Sequence, residues 1–236
     1  MNYRAIFIDI DDTLLDYVPC CREAYDAAIS QLDAVYHTQY AESDYFQLFF
    51  DIAGRLFSEA KHGKYSISEV MDLYPKEFME RVNVLTGETM NDKELAQCTD
   101  TFKHAFRAAW GKTHALVPEA EPMLQRLRKA GYRLFAASNS FGHLQRSRLE
   151  QAGILNYFED LFISMDIGYD KPDVRFFEEA LRRANLLPNE VLMIGDSMTT
   201  DILGAQNAGI EALFFDRRNN ASLLELIKPL CEFEYV

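Results

Sequence analysis

The stretch Phe7–Leu14, with the order Phe-Ile-Asp-Ile-Asp-Asp-Thr-Leu, is the most informative part of the sequence. The run from Ala5 to Ile10 is short and mostly apolar, as expected of a strand that is buried on both faces of a parallel sheet. Asp9 interrupts this run, and a buried carboxylate needs a cation or hydrogen-bond donors near it. Three carboxylates and a threonine after one strand predict a ligand site at its C-terminal end, where open α/β sheets bind ligands. The alternative is a charged exit from the strand that only begins a turn.

Composition limits the classes of partner. The chain has 236 residues, 48% of them hydrophobic, and a formal net charge of -13 at pH 7. This charge argues against a nucleic-acid polymer or an anionic membrane as a partner. A small anionic substrate stays compatible with it, because a metal ion and one lysine reverse the local field. No segment is typical of a signal peptide, and no apolar run reaches membrane-spanning length, so we expect a cytoplasmic protein. We expect it to be a monomer or a homodimer.

The order of predicted elements indicates an α/β protein with a helical insertion. From about Val18 to Ala115 the pattern is helical and rich in Phe and Tyr. From Pro118 onward, predicted strands alternate with helices, which implies a parallel sheet with right-handed crossovers. We therefore predict a Rossmann-like parallel core formed by residues 1–16 and 116–236, with residues 17–115 as an inserted helical domain.

Further polar residues follow other predicted strands of the core. Ser138 and Asp196 each lie just beyond a predicted strand, Asp201 follows a few residues later, and Lys171 lies in a loop before a helix. The C-terminal ends of parallel strands share one edge of the sheet, so these groups are expected to converge. Taken singly, Ser138 could belong to a turn, Lys171 could be an exposed loop lysine, and Asp201 could cap a helix. Their joint occurrence favours a functional site.

These motifs resemble those of the haloacid dehalogenase superfamily. The resemblance covers the whole chain except the middle of the helical insertion. It rests on four motifs in a fixed order: Asp9-x-Asp11-x-Thr13, Ser138, Lys171, and Gly195-Asp196 with Asp201. Among members with a helical cap inserted after the first motif, the chain is most similar to the house-cleaning pyrimidine 5′-nucleotidases. That narrower likeness rests on residues 147–150, 168–173 and 195–209.

The resemblance implies a phosphatase that hydrolyses a small phosphomonoester, in this branch a nucleoside 5′-monophosphate, through an aspartyl-phosphate. Asp9 would be the nucleophile. Asp11 would protonate the leaving oxygen and then accept a proton from water. Ser138, Asn139 and Lys171 would hold the phosphoryl oxygens.

The resemblance also implies Mg²⁺ as the cofactor. Its protein ligands would be the Asp9 carboxylate, the Asp11 backbone carbonyl and Asp196, all of them the hard oxygen donors that Mg²⁺ prefers. Two residues would support this site. Thr13 would position Asp9, and Asp201 would orient Lys171 or the waters of the metal.

The helical insertion, or cap, has aromatic residues at helical spacing, which are typical of a packed core. A base or sugar also needs an apolar lid, so we name Phe57, Lys64 and Tyr65 as candidate substrate contacts at a break between two predicted helices. Ser66 and Glu69 predict a capping box at the start of the next helix.

Other functions remain open at this point. A 2-haloacid dehalogenase of the same superfamily needs a nucleophilic Asp but neither an acid two residues later nor a metal, so Asp11 and Asp196 count against it. A phosphomutase would use the same aspartyl-phosphate while excluding water. A non-catalytic binding protein with this fold is the third alternative, and the intact set of motif residues argues against it.

Overall fold

The computed structural model describes residues 3–87, 90–219 and 221–231. Two compact units divide the chain. The first, the core unit, comprises Met1–Tyr17 and His114–Val236, and the second, the cap unit, comprises Val18–Thr113. The predicted domain limits, at residues 16/17 and 115/116, stay a prediction.

The core unit contains the predicted parallel sheet, which is confirmed. Its five strands lie in the order β3-β2-β1-β4-β5, and every neighbouring pair is parallel. The strands are β1 Ala5–Ile8, β2 Arg133–Ser138, β3 Asp160–Ile163, β4 Val191–Gly195 and β5 Glu211–Phe214. β1 lies at the centre of the sheet, between β2 and β4, so the chain that leaves its C-terminal end has strands on both sides.

Alternation along the strands supplies a hydrophobic core on each face of the sheet. Ile6 and Ile8 of β1 point to one face, and Ala5 and Phe7 point to the other. Apolar residues of flanking helices cover both faces, so β1 is buried along its whole length. Because both faces are buried, the strand has the nearly continuous apolar sequence from which it was predicted.

The helices of the core unit follow the strands in the predicted alternation. They are α6 Ala120–Lys129, α7 Gly142–Gln151, α8 Ser164–Ile167, α9 Val174–Ala184, α10 Gly204–Asn207 and α11 Leu223–Cys231, and a π-helical turn, Met198–Leu203, precedes α10. Helices α8 and α11 were not predicted, although Leu223, Ile227 and Leu230 of α11 recur at helical spacing and pack into the core.

The cap unit is helical in its described residues. Its helices are α1 Tyr17–Tyr36, which begins in the core unit, α2 Tyr40–Ser43, α3 Phe46–Lys61, α4 Ile67–Thr86 and α5 Asp92–Trp110. The predicted capping box at the start of α4 is confirmed, because Ser66 accepts from the Glu69 backbone N–H and Glu69 accepts from the Ser66 N–H. None of the helices in the described ranges combines the length and apolar character needed to cross a membrane.

Candidate active site

A buried lysine between two carboxylates forms the centre of the candidate site. Lys171 Nζ donates to Asp9 Oδ1 at 2.8 Å, to Asp201 Oδ1 at 2.6 Å and to the Ala137 carbonyl at 2.7 Å. Lys171 is only 3% exposed and Asp9 only 7% exposed. The interpretation of Lys171 as an exposed loop lysine is therefore wrong. The predicted cation beside the buried Asp9 is this lysine.

Burial and the neighbouring charges shift the pKa values of both Asp9 and Lys171. Burial raises the pKa of Asp9 well above its ordinary range, and the carboxylates of Asp201 and Asp196 raise it further, while Lys171 opposes both. Burial alone would lower the pKa of Lys171, but the carboxylates of Asp201 and Asp9 outweigh that effect and hold it above its ordinary value. Lys171 therefore stays a cation at the centre of the site.

The backbone around β4 brings Asp201 into contact with the lysine. Gly195 ends β4, and a Cβ atom there would lie 2.3 Å from Asp201 Oδ2, which no real contact allows. The Ser197 backbone N–H donates to the same Oδ2 at 3.0 Å and holds the carboxylate from the other side. Glycine at 195 is therefore required by the close approach of Asp201, and Asp201 acts as a partner of Lys171 rather than as a plain helix cap.

The loop after β2 is tied to the loop that carries Lys171. Asn139 Nδ2 donates to the Lys171 carbonyl, and Asn139 Oδ1 accepts from the Lys171 N–H, both at 2.8 Å. The side chain of Asn139 is thus engaged in placing the lysine. Ser138, the last residue of β2, is 2% exposed. The roles of Ser138, Asn139 and Lys171 as phosphate ligands stay a prediction.

Asp11 has two partners, and the sequence did not predict their contacts with it. Arg148 Nη1 donates to Asp11 Oδ1 at 2.6 Å, and Gln145 Nε2 donates to Asp11 Oδ2 at 2.7 Å. Both partners lie on α7, three residues apart, and both are completely buried. Their signal in the sequence is weak: an i, i+3 pair shares the helix face with buried Leu149, and polar residues on helices are usually exposed.

A second arginine whose contacts were not predicted holds the acidic loop after β1. Arg217, just after β5, forms ion pairs with Asp12 and Asp16. Asp12 has a positive φ of 64° and accepts a hydrogen bond from the Tyr17 N–H at 3.2 Å. Burial raises the pKa of Asp12, against the opposing effects of the Tyr17 hydrogen bond and Arg217. These contacts are those of a residue that shapes the loop between Asp11 and α1.

Thr13 is completely buried, but its predicted link to Asp9 is not visible. Its hydroxyl has no hydrogen-bond partner among the residues that the structure describes. The tight turn around it is made by backbone groups, since the N–H groups of Leu14 and Leu15 both donate to the Ile10 carbonyl at 2.8 Å. Support of Asp9 by Thr13 stays a prediction.

The donor set suits a hard divalent cation. Carboxylate oxygens of Asp9, Asp196 and Asp201 lie within 4.8 Å of one another, and oxygen is the ligand type that Mg²⁺ prefers. Asp201 already accepts from Lys171 and from the Ser197 N–H, one on each oxygen. Both oxygens of Asp201 thus have donors within the protein, which suits a supporting place. The assignment of Asp9 and Asp196 as metal ligands stays a prediction.

The three candidate substrate contacts of the cap lie around the end of α3 and the loop after it. Phe57 and Tyr65 are half-buried. The ring centroids of Phe57 and Tyr74 lie 6.5 Å apart. Lys64 is exposed, pairs with Glu59 at 3.0 Å and lies 5.1 Å from the Tyr65 ring centroid. Their role as substrate contacts stays a prediction.

Comparison with known proteins adds an independent result. Residues 3–209 match the family model described as haloacid dehalogenase-like hydrolase. The glyceraldehyde 3-phosphate phosphatase of Methanothermobacter thermautotrophicus is 31% identical over 214 residues, which are 89% of this chain and 84% of the relative. The pyrimidine 5′-nucleotidase PynA of Streptococcus pneumoniae is 31% identical over 220 residues, 92% of this chain and 85% of the relative.

A solved structure shares the fold over the full length. The magnesium-bound crystal structure of the Bacillus subtilis HAD-hydrolase YfnB matches with a TM-score of 0.78 at 23% identity, and it covers 98% of this chain and 99% of that chain. The chain thus matches these proteins along their length rather than through one motif.

Proposed function

The chain belongs to the haloacid dehalogenase-like hydrolase family and is a hydrolase of phosphoric monoesters, and we propose that it is Mg²⁺-dependent, forms an aspartyl-phosphate on Asp9 and acts on a nucleoside 5′-monophosphate. The observation that carries the mechanism is the placement of two different carboxylates two residues apart. Asp9 is buried against the Lys171 cation, and Asp11 is held by Arg148 with part of its side chain exposed.

In the first step an oxygen of Asp9 attacks phosphorus. The bond from phosphorus to the ester oxygen breaks, and that oxygen takes a proton from Asp11 to leave as an alcohol. Lys171 and Ser138 hold the phosphoryl oxygens, whose negative charge would otherwise repel the attacking carboxylate. Asp201 and the Asn139 side chain keep Lys171 in place for this role.

In the second step water attacks phosphorus and gives its proton to the Asp11 carboxylate. The bond from phosphorus to Asp9 breaks, inorganic phosphate leaves, and the Asp9 carboxylate is restored. Asp11 therefore serves as acid in one step and as base in the next, and each cycle returns it to its starting state.

Mg²⁺ would be held by the carboxylates of Asp9 and Asp196 and by the Asp11 backbone carbonyl. When bound, it would supply positive charge that offsets the negative charge of the phosphoryl oxygens. The close approach of the Asp9 and Asp196 oxygens supports this assignment. Two carboxylates, Asp11 and Asp196, are not needed by a 2-haloacid dehalogenase. Their presence favours the phosphatase.

The choice of nucleoside 5′-monophosphate rests on the likeness to the pyrimidine 5′-nucleotidase of Streptococcus pneumoniae. The glyceraldehyde 3-phosphate phosphatase is equally similar, so the substrate panel has to include both classes. Phe57, Lys64 and Tyr65 of the cap unit are proposed to contact the base or sugar of the substrate.

The test is phosphate release from dUMP, dTMP, UMP, glyceraldehyde 3-phosphate and hexose phosphates, each with Mg²⁺ and with EDTA. We expect release that requires Mg²⁺ and is fastest with a pyrimidine nucleotide. A faster reaction with another ester would overturn the nucleotide assignment alone, and release that is unchanged in EDTA would overturn the metal assignment. Chloride release from 2-chloropropionate without phosphate release would overturn the proposed reaction.

A further inference from the structure

A completely buried arginine contacts the proposed acid–base residue, and the reaction steps above assign it no part. Arg148 has 0% exposure, whereas the side chain of its partner Asp11 is 26% exposed. The Nη1 of Arg148 lies 2.6 Å from Asp11 Oδ1. The ion pair therefore reaches from the interior of the core unit to the accessible carboxylate of Asp11.

A buried glutamine joins this pair to the proposed phosphate ligand. Gln145 Nε2 donates both to Asp11 Oδ2 at 2.7 Å and to Ser138 Oγ at 3.0 Å. Gln145 Oε1 in turn accepts from Arg148 Nη1 at 2.8 Å. Each oxygen of the Asp11 carboxylate thus has its own donor, and these two contacts together define the plane of the carboxylate.

Helix α7 does not by itself require a buried arginine at position 148. A guanidinium loses its hydration when it is buried and needs a charged partner in compensation. Arg146, two residues earlier on the same helix, lies exposed, where an arginine carries no such cost. Two donors on one carboxylate, one of them a buried cation, are a costly arrangement that restricts rotation of the Asp11 side chain.

We propose that Arg148 and Gln145 are positioning residues, which set the Asp11 carboxylate for proton transfer, and that Gln145 ties this setting to Ser138. The inference rests on the proposed function, since it requires Asp11 to protonate the leaving oxygen. Asp11 moves the proton, and Arg148 and Gln145 act only through Asp11 and Ser138. Their loss is therefore expected to affect proton transfer more than phosphoryl binding.

Leaving-group chemistry separates these two effects. 4-Nitrophenolate leaves as a stable anion and needs little protonation, whereas the alcohol of an alkyl phosphate must receive a proton. The experiment compares kcat/KM for 4-nitrophenyl phosphate with kcat/KM for the best alkyl phosphate in the panel above. We expect Arg148→Met to lower the value for the alkyl ester about 10²-fold and the value for the aryl ester less than about tenfold.

Three further variants make the result specific. Arg146→Met removes an exposed arginine from the same helix and is expected to leave both values unchanged. Gln145→Met removes the shared donor without leaving a charge unbalanced, so it tests the same pattern if Arg148→Met does not fold. Arg148→Lys keeps the charge but loses the planar fork, and it is expected to recover part of the alkyl-ester rate.

A double variant tests whether Arg148 acts through Asp11. Adding Arg148→Met to Asp11→Asn is expected to lower the alkyl-ester rate less than about twofold further, because residues that act as a unit are not additive. The inference would be overturned if kcat/KM fell equally for the two esters in both Arg148→Met and Gln145→Met. It would also be overturned if Arg148→Met lowered the alkyl-ester rate as much in the Asp11→Asn background as it does alone. Failure of the proposed function looks different: the wild type would then release phosphate from neither ester.

Discussion

The two units bury different kinds of side chain. The core unit buries Asp9, Arg148, Lys171 and Asp201, all charged residues held in ion pairs. Among the described residues of the cap unit, every Asp, Glu, Lys, Arg and His is at least partly exposed. Its interior is aromatic instead, with the rings of Phe49, Phe78 and Phe102 packed 5.1 to 5.6 Å apart.

This difference shows where stability and chemistry are coupled. Aromatic pairs gain about 0.5–1.5 kcal/mol each beyond the area they bury. In a buried charge network, removal of one member also leaves its partner unpaired in a medium of low dielectric constant. Substitutions that leave a buried charge of the core unit unpaired are therefore expected to lower both activity and stability, and removal of an exposed charge of the cap unit is expected to change neither.

The largest expected effect is on turnover. Asp9→Asn removes the proposed nucleophile and should lower phosphate release by at least about 10⁴-fold. The free energy of unfolding should stay equal or rise, because Asp9 is one of several crowded carboxylates and Lys171 retains Asp201. The matched control is Asp51→Asn, an exposed carboxylate of α3, for which release should be unchanged. Substantial activity in Asp9→Asn would contradict covalent catalysis by this residue.

A pair of lysine variants compares stability in the two units. Lys171→Met leaves Asp9 and Asp201 buried without their cation and should lower the free energy of unfolding by about 3–5 kcal/mol. Lys64→Met removes an exposed lysine of the cap that pairs with Glu59, and its unfolding curve in urea should superimpose on that of the wild type. Equal losses of stability in the two variants would contradict the contrast between the units.

Two glycine-to-alanine variants should change the free energy of unfolding in opposite directions. In Gly195→Ala the new methyl group would meet Asp201 and push it from Lys171, at a cost of about 1–3 kcal/mol in the free energy of unfolding, with loss of activity. Gly54 lies exposed in α3, and a Cβ there meets nothing within 4 Å. Gly54→Ala should therefore stabilise by about 0.5–1 kcal/mol, with activity unchanged. Chemical denaturation measures both changes, and a stabilised Gly195→Ala would contradict the proposed close approach.

An effect on stability of about the same size as that of Gly54→Ala is expected in the cap unit at alkaline pH. Burial raises the pKa of Tyr74 above its ordinary value of 10.0. The unfolded chain then releases this proton at a lower pH than the folded chain, so the contribution of Tyr74 to stability is complete below the ordinary pKa and falls as pH rises through it. Between about pH 10 and pH 11 the wild type should lose about 1 kcal/mol more than Tyr74→Phe. Parallel losses in urea denaturation at the two pH values would show that this phenol is not responsible.

The sequence predicted the sheet and the convergence of the motif residues because both depend on local, regular patterns. Asp9 and Asp196 follow apolar strands, and the parallel topology brings the strand ends together wherever they lie in the chain. It did not predict Arg148, Gln145 or Arg217. Their roles depend on which helix face or loop meets Asp11 and Asp12, and this follows from tertiary packing. Asn139 shows the same limit, since its side chain holds the Lys171 backbone.

The most direct test of the proposed mechanism is detection of a phosphoryl group on Asp9. 4-Nitrophenyl phosphate is the substrate of choice, because its leaving group departs easily and the intermediate then accumulates before water attacks. The wild type is quenched in acid during turnover, and its peptides are mapped by mass spectrometry beside those of Asp9→Asn. The predicted result is one phosphoryl group on Asp9 in the wild type and none in the variant. Phosphate release with Asp9 unmodified, or with the phosphoryl group on another residue, would contradict it.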